Sequence, residues 1–278
     1  MSAHALRPAA VAAALALALA PACVWSDGHP FGELSASLEA RWTLAADRGG
    51  ARQRLASDFV VEVTGATATL GALTLIDVGA AALAFDPADP PPGYTLCHNG
   101  HCHATDGRLV SYEEISAELS GGAGPQPIVA LAVGARDLLP GARGALGCDG
   151  GPCDLPRAQV RRLELAVERL ELTGVVADTR VPPRLTGDVA WTLTLDRGAG
   201  AAAAPVTGAL ELPIDRGHPP RIELAATFAP TAALLDGVRF ELAGDGPWAI
   251  DSDATSRAAV DAALVELPLT ASVSRRDL

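Results

Sequence analysis

Residues 189–195 read VAWTLTL, and apolar side chains at positions 189, 191, 193 and 195 alternate there with small or polar ones. A period of two places successive side chains on opposite faces of an extended strand. Gly and Asp residues, which favour turns, lie on both sides of the run. The stretch therefore predicts a half-buried β-strand.

Comparable runs recur along the chain, at residues 38–44, 59–63, 69–75, 128–133, 209–212 and 221–224. Short alternating runs separated by turn residues are typical of β-sandwiches and barrels. Residues 160–173 fit either a helix or strands with a bulge, and strands are favoured because β-branched residues follow without a cap. We expect an all-β protein, an antiparallel β-sandwich or barrel-like fold with one or two short helices.

Two segments carry helix signals. Ser111 and Glu114 have the spacing of a capping box, which predicts a short helix beginning there. Asp253 or Ser256 is expected to cap a second helix with apolar residues on one face, and Pro268 ends it.

The N-terminal residues resemble the export signal of bacterial lipoproteins. Arg7 precedes an unbroken apolar run at residues 9–20, and small residues then lead into Cys23. The run is shorter than the roughly 20 residues that span a bilayer, which favours a signal peptide over an anchor helix. The resemblance implies a signal peptide at residues 1–22 and lipidation of Cys23.

The rest of the chain is predicted to form a short tether at residues 23–36 and one β-sandwich domain at residues 37–278. Residues 140–157 mark where two subdomains would meet if the domain is divided. The formal net charge of −12 repels phosphate backbones, so no nucleic-acid partner is expected. We expect an exported lipoprotein that faces the periplasm or the cell surface and is held by acyl chains on an inner or outer membrane of the cell envelope.

Four cysteines follow Cys23 in the chain: Cys97, Cys102, Cys148 and Cys153. An even number of cysteines in an exported chain indicates disulfides. Three pairings are possible, and the C-x4-C spacing that both pairs share favours two local bridges.

Residues 97–103 read CHNGHCH and are the chain's densest group of chemically reactive side chains. Asn-Gly at residues 99–100 is the strongest short signal for a two-residue hairpin turn. In that hairpin the two histidines beside the turn form the closing pair. Cys97 and Cys102 form the next pair, with Cα atoms about 4.5 Å apart, within reach of a disulfide.

Alternation then places His98, His101 and His103 on one face of the hairpin and the disulfide on the other. Neutral imidazole suits zinc and copper, and three histidines with an open fourth position occur in catalytic zinc sites. Tyr94 or Asp106 is a candidate to complete the coordination or to orient an imidazole ring.

Two other interpretations of this stretch stay open. The hairpin is also explained as a structural element whose histidines only face solvent. Alternatively, Cys97, Cys102 and His103 match a rare spacing variant of the c-type haem attachment motif, whose usual spacing is two residues.

The sequence contains no G-x-S-x-G, H-E-x-x-H, P-loop or G-x-G-x-x-G motif. The mature part is similar to exported, β-rich, four-cysteine copper-binding proteins, a resemblance that implies copper binding and a redox partner. We expect a copper or zinc protein for storage, delivery or sensing, and not an enzyme. The alternatives are an envelope lipoprotein with a structural or interaction role and no metal, and thirdly a zinc-dependent hydrolytic or haem redox protein.

Overall fold

A computed structural model describes residues 30–77, 86–105, 107–119, 125–148, 151–198, 204–215 and 217–277. Strands dominate this part of the chain: β1 (Gly32–Ala40), β2 (Gln53–Arg54), β3 (Phe59–Asp77), β4 (Tyr94–His98), β5 (His101–Ala104), β6 (Leu109–Ser111), β7 (Gln126–Asp137), β8 (Ala142–Leu146), β9 (Cys153–Leu155), β10 (Ala158–Asp178), β11 (Val189–Asp196), β12 (Val206–Ile214), β13 (Arg221–Phe228), β14 (Trp248–Ala249) and β15 (Leu269–Arg276). Two α-helices accompany them, α1 (Tyr112–Leu119) and α2 (Ala254–Val265).

The predicted all-β class is confirmed, and so is the strand at residues 160–173, which lies within β10. In β11, Val189, Trp191, Leu193 and Leu195 are all buried, as the alternation predicts. The runs at 59–63 and 69–75 belong to one strand and not to two, because the intervening residues continue the pairing of β3 with β10.

The strands form two large sheets and one small one. The first sheet has the order β15-β13-β1-β8, and β9 also pairs with β1. The second has the order β14-β11-β10-β3-β2, with β12 added on β10 and β7 added on β3. The small sheet has the order β4-β5-β6. Most of these pairs are antiparallel, as predicted, while β1 pairs with β13 and β11 with β14 in parallel.

One buried cluster of apolar side chains lies between the two large sheets and extends from Leu34 in β1 to Leu269 in β15. Its aromatic centre brings Phe240 to 5.6 Å from Phe59 and to 6.0 Å from Trp191, measured between ring centroids. Burial of this apolar surface is the main force that holds the sheets together.

Both helix predictions are confirmed, with their caps. The Glu114 carboxylate accepts from the backbone N–H of Ser111 at 2.8 Å, and the Glu114 N–H donates to the Ser111 hydroxyl at 3.3 Å, so the capping box is complete. At α2 the Asp253 carboxylate accepts from the N–H of Ser256, and Arg239 contacts the same carboxylate. The Arg239 guanidinium, and after it the hydroxyl and backbone N–H of Ser256, hold the pKa of Asp253 well below its usual range.

The strand positions can be compared with two of the predicted boundaries. β1 begins at Gly32, so residues 32–36 of the predicted tether belong to a strand of the first sheet. β8 pairs with β1 and β7 pairs with β3, so the chain passes from the second sheet to the first just before the predicted junction at 140–157. The predicted signal peptide at residues 1–22 and Cys23 lie outside the described residues.

No helix in the described ranges is both long enough and apolar enough to cross a membrane.

Gly174 provides a test of how tightly the second sheet packs. A Cβ atom at this position of β10 would overlap the backbone oxygen of Glu62 and would lie 2.6 Å from Cζ2 of Trp191. We expect Gly174→Ala to lower the free energy of unfolding by about 3 kcal/mol, because neither neighbour is free to move away. Urea unfolding measures the change.

The matched control is Gly50→Ala, since a Cβ atom at Gly50 meets no atom within 4 Å. Equal unfolding midpoints for the two variants would contradict the tight packing of β10 against Trp191.

Candidate metal centre

The small sheet and α1 form a unit with its own core. Four buried residues make up that core, Cys102, Ala104, Val110 and Ile115, and Tyr94, Cys97 and Tyr112 pack against it. The sheet has three short strands, and a hairpin of this size is marginally stable unless further strands or a helix cover it. Here β6 and α1 supply that cover.

The predicted hairpin turn is confirmed. Asn99 has φ of 47° and Gly100 has φ of 85°, the two positive values that the turn requires. His98 pairs with His101 as the closing pair, and Cys97 pairs with Cys102. The backbone N–H of Tyr112 donates to the Gly100 carbonyl at 3.0 Å, which ties the turn to the start of α1.

Both local disulfides are present. Cys97 and Cys102 are bonded with Cα atoms 4.0 Å apart, and Cys148 and Cys153 with Cα atoms 5.2 Å apart. Two disulfides are typical of proteins from an oxidising, extracytoplasmic compartment. While the first bridge is formed, neither of its sulfur atoms is available for the thioether bonds of c-type haem attachment.

A bulge that the sequence analysis missed lies at Leu96. Its φ is 30°, its side chain is 68% exposed, and the pairing register shifts between Thr95 and Cys97. Because one extra residue is inserted, Tyr94 and Cys97 both face the small core although they are three positions apart. A positive φ at leucine is rare and leaves no signal in the residue pattern.

His98, His101 and His103 come together on the other face, as predicted. One ring nitrogen from each lies within 4.8 Å of the other two. The Nε2 atoms of His98 and His103 are 3.2 Å apart, and the ring centroids of His98 and His101 are 4.6 Å apart. His98 is exposed, while the other two are half-buried.

These distances fit a metal ion. Two nitrogens bound to one tetrahedral zinc at 2.0–2.1 Å lie about 3.3 Å apart, close to the separation of the His98 and His103 nitrogens. The nitrogens of all three residues lie within 4.8 Å of one another, so they have to move closer together before all three can bind one ion. The donor set is then three neutral imidazoles, with one coordination position left for water or another ligand.

Tyr94 is placed away from the imidazoles. Its hydroxyl donates to the carboxylate of Glu118 on α1, on the side of the small core. This hydrogen bond, together with burial and the negative charge of Glu118, raises the pKa of Tyr94 to about 12. Tyr94 therefore anchors β4 to α1 and does not orient an imidazole. Asp106, the other predicted partner, lies outside the described residues.

A cleft of about 350 Å³ lies beside the histidines, between the small sheet and the second sheet. His101 and Ser111 line one wall, and Arg162 and Glu164 of β10 line the other. Glu266, which follows α2, adds a further carboxylate. The histidine cluster therefore borders, through His101, a cleft lined by both polar and apolar residues, and it does not lie on an isolated hairpin.

Arg162 connects the small sheet to the second sheet across this cleft. Its guanidinium donates to the Ser111 hydroxyl at 2.8 Å and forms ion pairs with Glu114 at 3.4 Å and Glu164 at 2.9 Å. The arginine side chain is only 14% exposed, so these contacts are partly shielded from water. Sequence reasoning did not single out Arg162, because an arginine within an alternating strand usually faces solvent.

Comparison of the chain with protein-family models, curated proteins and solved structures found no match.

The contacts of Arg162 predict a local effect of its loss. Arg162→Met leaves the carboxylates of Glu114 and Glu164 without their shared cation. We therefore expect the free energy of local opening of the small sheet to fall by roughly 2 kcal/mol. Amide hydrogen exchange should then be faster in β6 and α1 and unchanged in the core of β3.

Arg161→Met is the matched control, because Arg161 is the adjacent, exposed arginine on β10. Equal exchange in β6 and α1 for the two variants would contradict the role of Arg162 as the link between the sheets.

Proposed function

We propose that this protein binds copper or zinc through His98, His101 and His103, and that it stores, delivers or senses the metal. The observation that carries the proposal is the convergence of three imidazole nitrogens within 4.8 Å on one face of a disulfide-bridged hairpin. Imidazole is a common ligand of both metals in proteins.

Two features favour binding and exchange of the metal over catalysis. The disulfide, the Asn99-Gly100 turn and the link from Gly100 to Tyr112 hold the two strands before any metal arrives. A preformed site loses less conformational entropy when it binds. His98 is exposed, so the metal stays accessible to a second protein that donates or accepts it.

We also propose that the chain is exported and lipid-anchored through Cys23, facing the periplasm or the cell surface. Support comes from the two disulfides, which suit an oxidising compartment, and from the lipoprotein-like residues 1–23. The partners would be the membrane, through the acyl chains, and a redox or envelope protein that exchanges the metal. The mass of the N-terminal peptide tests this directly, since an unmodified Cys23 would rule the anchor out.

The metal proposal is tested by titrating the purified full chain with Zn²⁺ and with Cu²⁺ and measuring the heat of binding. We expect one ion per chain, and loss of that binding in the triple variant His98→Ala, His101→Ala, His103→Ala. Each imidazole supplies a coordinate bond that alanine cannot replace.

His218→Ala is the control, because His218 lies outside the small sheet and its Nδ1 is 2.8 Å from the Asp215 carboxylate. This variant should bind as the wild type does. If the wild type binds neither ion, the proposal is wrong and the alternative is an envelope protein with a structural or interaction role.

A further inference from the structure

The three histidines are not supported equally by the small sheet. His101 and His103 lie on β5, the central strand, which pairs with β4 on one side and with β6 on the other. His98 is the last residue of β4, which lies at the edge of the sheet. The position of His98 therefore depends on how firmly β4 is attached to β5.

β4 is attached at its two ends. At Tyr94 the phenol donates to Glu118 on α1. Between the ends the pairing is broken by the bulge at Leu96, where the chain is exposed. At the other end Cys97, the neighbour of His98, is bonded to Cys102.

Cys102 is fully buried in the small core, so the disulfide joins the residue beside His98 to the best-packed point of β5. Without that bond the His98 end of β4 keeps the turn, with its hydrogen bond from Tyr112 to Gly100, and a short stretch of edge pairing. Edge strands of this length are weakly held.

We infer that the redox state of Cys97–Cys102 controls the metal affinity of the three-histidine site, and that it does so through His98. The inference rests on the proposed metal-binding function. In the oxidised protein three imidazoles converge. In the reduced protein His101 and His103 stay on β5, while His98 moves away from them with the end of β4.

The switching reaction is thiol–disulfide exchange with a dithiol reductant. The Sγ–Sγ bond breaks, Cys97 and Cys102 gain two electrons and two protons and become thiols, and the reductant is oxidised to its own disulfide. A dithiol partner in the same compartment would thus release the metal, and exchange with a disulfide-bonded partner, which is itself reduced to a dithiol, would restore the site.

The chain contains a matched control for this idea. Cys148 and Cys153 have the same spacing and are also bridged, but Cys153 lies on β9, which pairs with β1 in the first sheet. That bridge joins no residue of the small sheet. Its loss should leave the histidines in place.

The test compares Zn²⁺ affinity of the wild type with that of two double variants, Cys97→Ser/Cys102→Ser and Cys148→Ser/Cys153→Ser. Zinc is used because it does not itself oxidise or reduce thiols. We expect roughly tenfold weaker binding for the first variant, in line with the chain entropy that so small a loop removes, and unchanged binding for the second.

Combination with His98→Ala separates this inference from a general loss of structure. In a His98→Ala chain, removal of the Cys97–Cys102 bridge should not weaken zinc binding further, because the ligand that the bridge positions is already absent. A further loss of tenfold in that background would overturn the role of His98.

A second measurement uses the wild type and does not depend on a variant that folds. Saturating zinc should protect Cys97–Cys102 from reduction by a phosphine and should not protect Cys148–Cys153. If the Cys97–Cys102 disulfide strengthens zinc binding, then zinc binding must stabilise that disulfide to the same extent. Amide exchange in β10 reports whether the sandwich stays intact.

The outcomes are distinguishable. A wild type without zinc affinity contradicts the proposed function itself. Zinc binding that is equal or tighter after loss of the Cys97–Cys102 bridge, or zinc that fails to protect this bridge from the phosphine, overturns the redox inference alone.

Discussion

The long antiparallel pairing of β3 with β10 is the interaction on which the rest of the structure depends. It runs from Val160 opposite Asp77 to Asp178 opposite Phe59. Both strands are longer than their neighbours, so each one carries two further strands, β2 and β7 on β3 and β11 and β12 on β10. Bulges along the pair bend the strands and increase their twist, and the bent sheet encloses the core against the first sheet.

The same pair of strands positions the candidate metal centre. Arg162 lies next to a register shift near the start of β10 and reaches Ser111 and Glu114, the two residues of the α1 capping box. One set of contacts therefore caps the helix and holds the small sheet beside the sandwich. The histidine face of that sheet then borders a cleft whose other wall is β10 itself.

Local patterns predicted a large part of this architecture. The alternation in β11 predicted a strand, and the Asn99-Gly100 dipeptide predicted a turn, a disulfide and the shared face of the histidines, because each of these depends on neighbours in the chain. Alternation alone does not place Tyr94, the candidate partner of an imidazole. Counting positions along β4 ignores the bulge at Leu96, which inserts one extra residue. The extra residue turns Tyr94 toward the disulfide side, where the Glu118 carboxylate accepts a hydrogen bond from its hydroxyl.

What the sequence by itself determined is the class of the fold and the hairpin with its three histidines, because side-chain alternation and turn geometry act over a few residues. Only the tertiary structure decided which strands pair, including the parallel pairing of β1 with β13, and where the hairpin sits. Strand pairing and the position of the hairpin depend on contacts between residues far apart in the chain, such as those of Arg162 with Ser111 and Glu114. The free energy of such contacts depends on how far the residues are buried together, which no local sequence pattern shows.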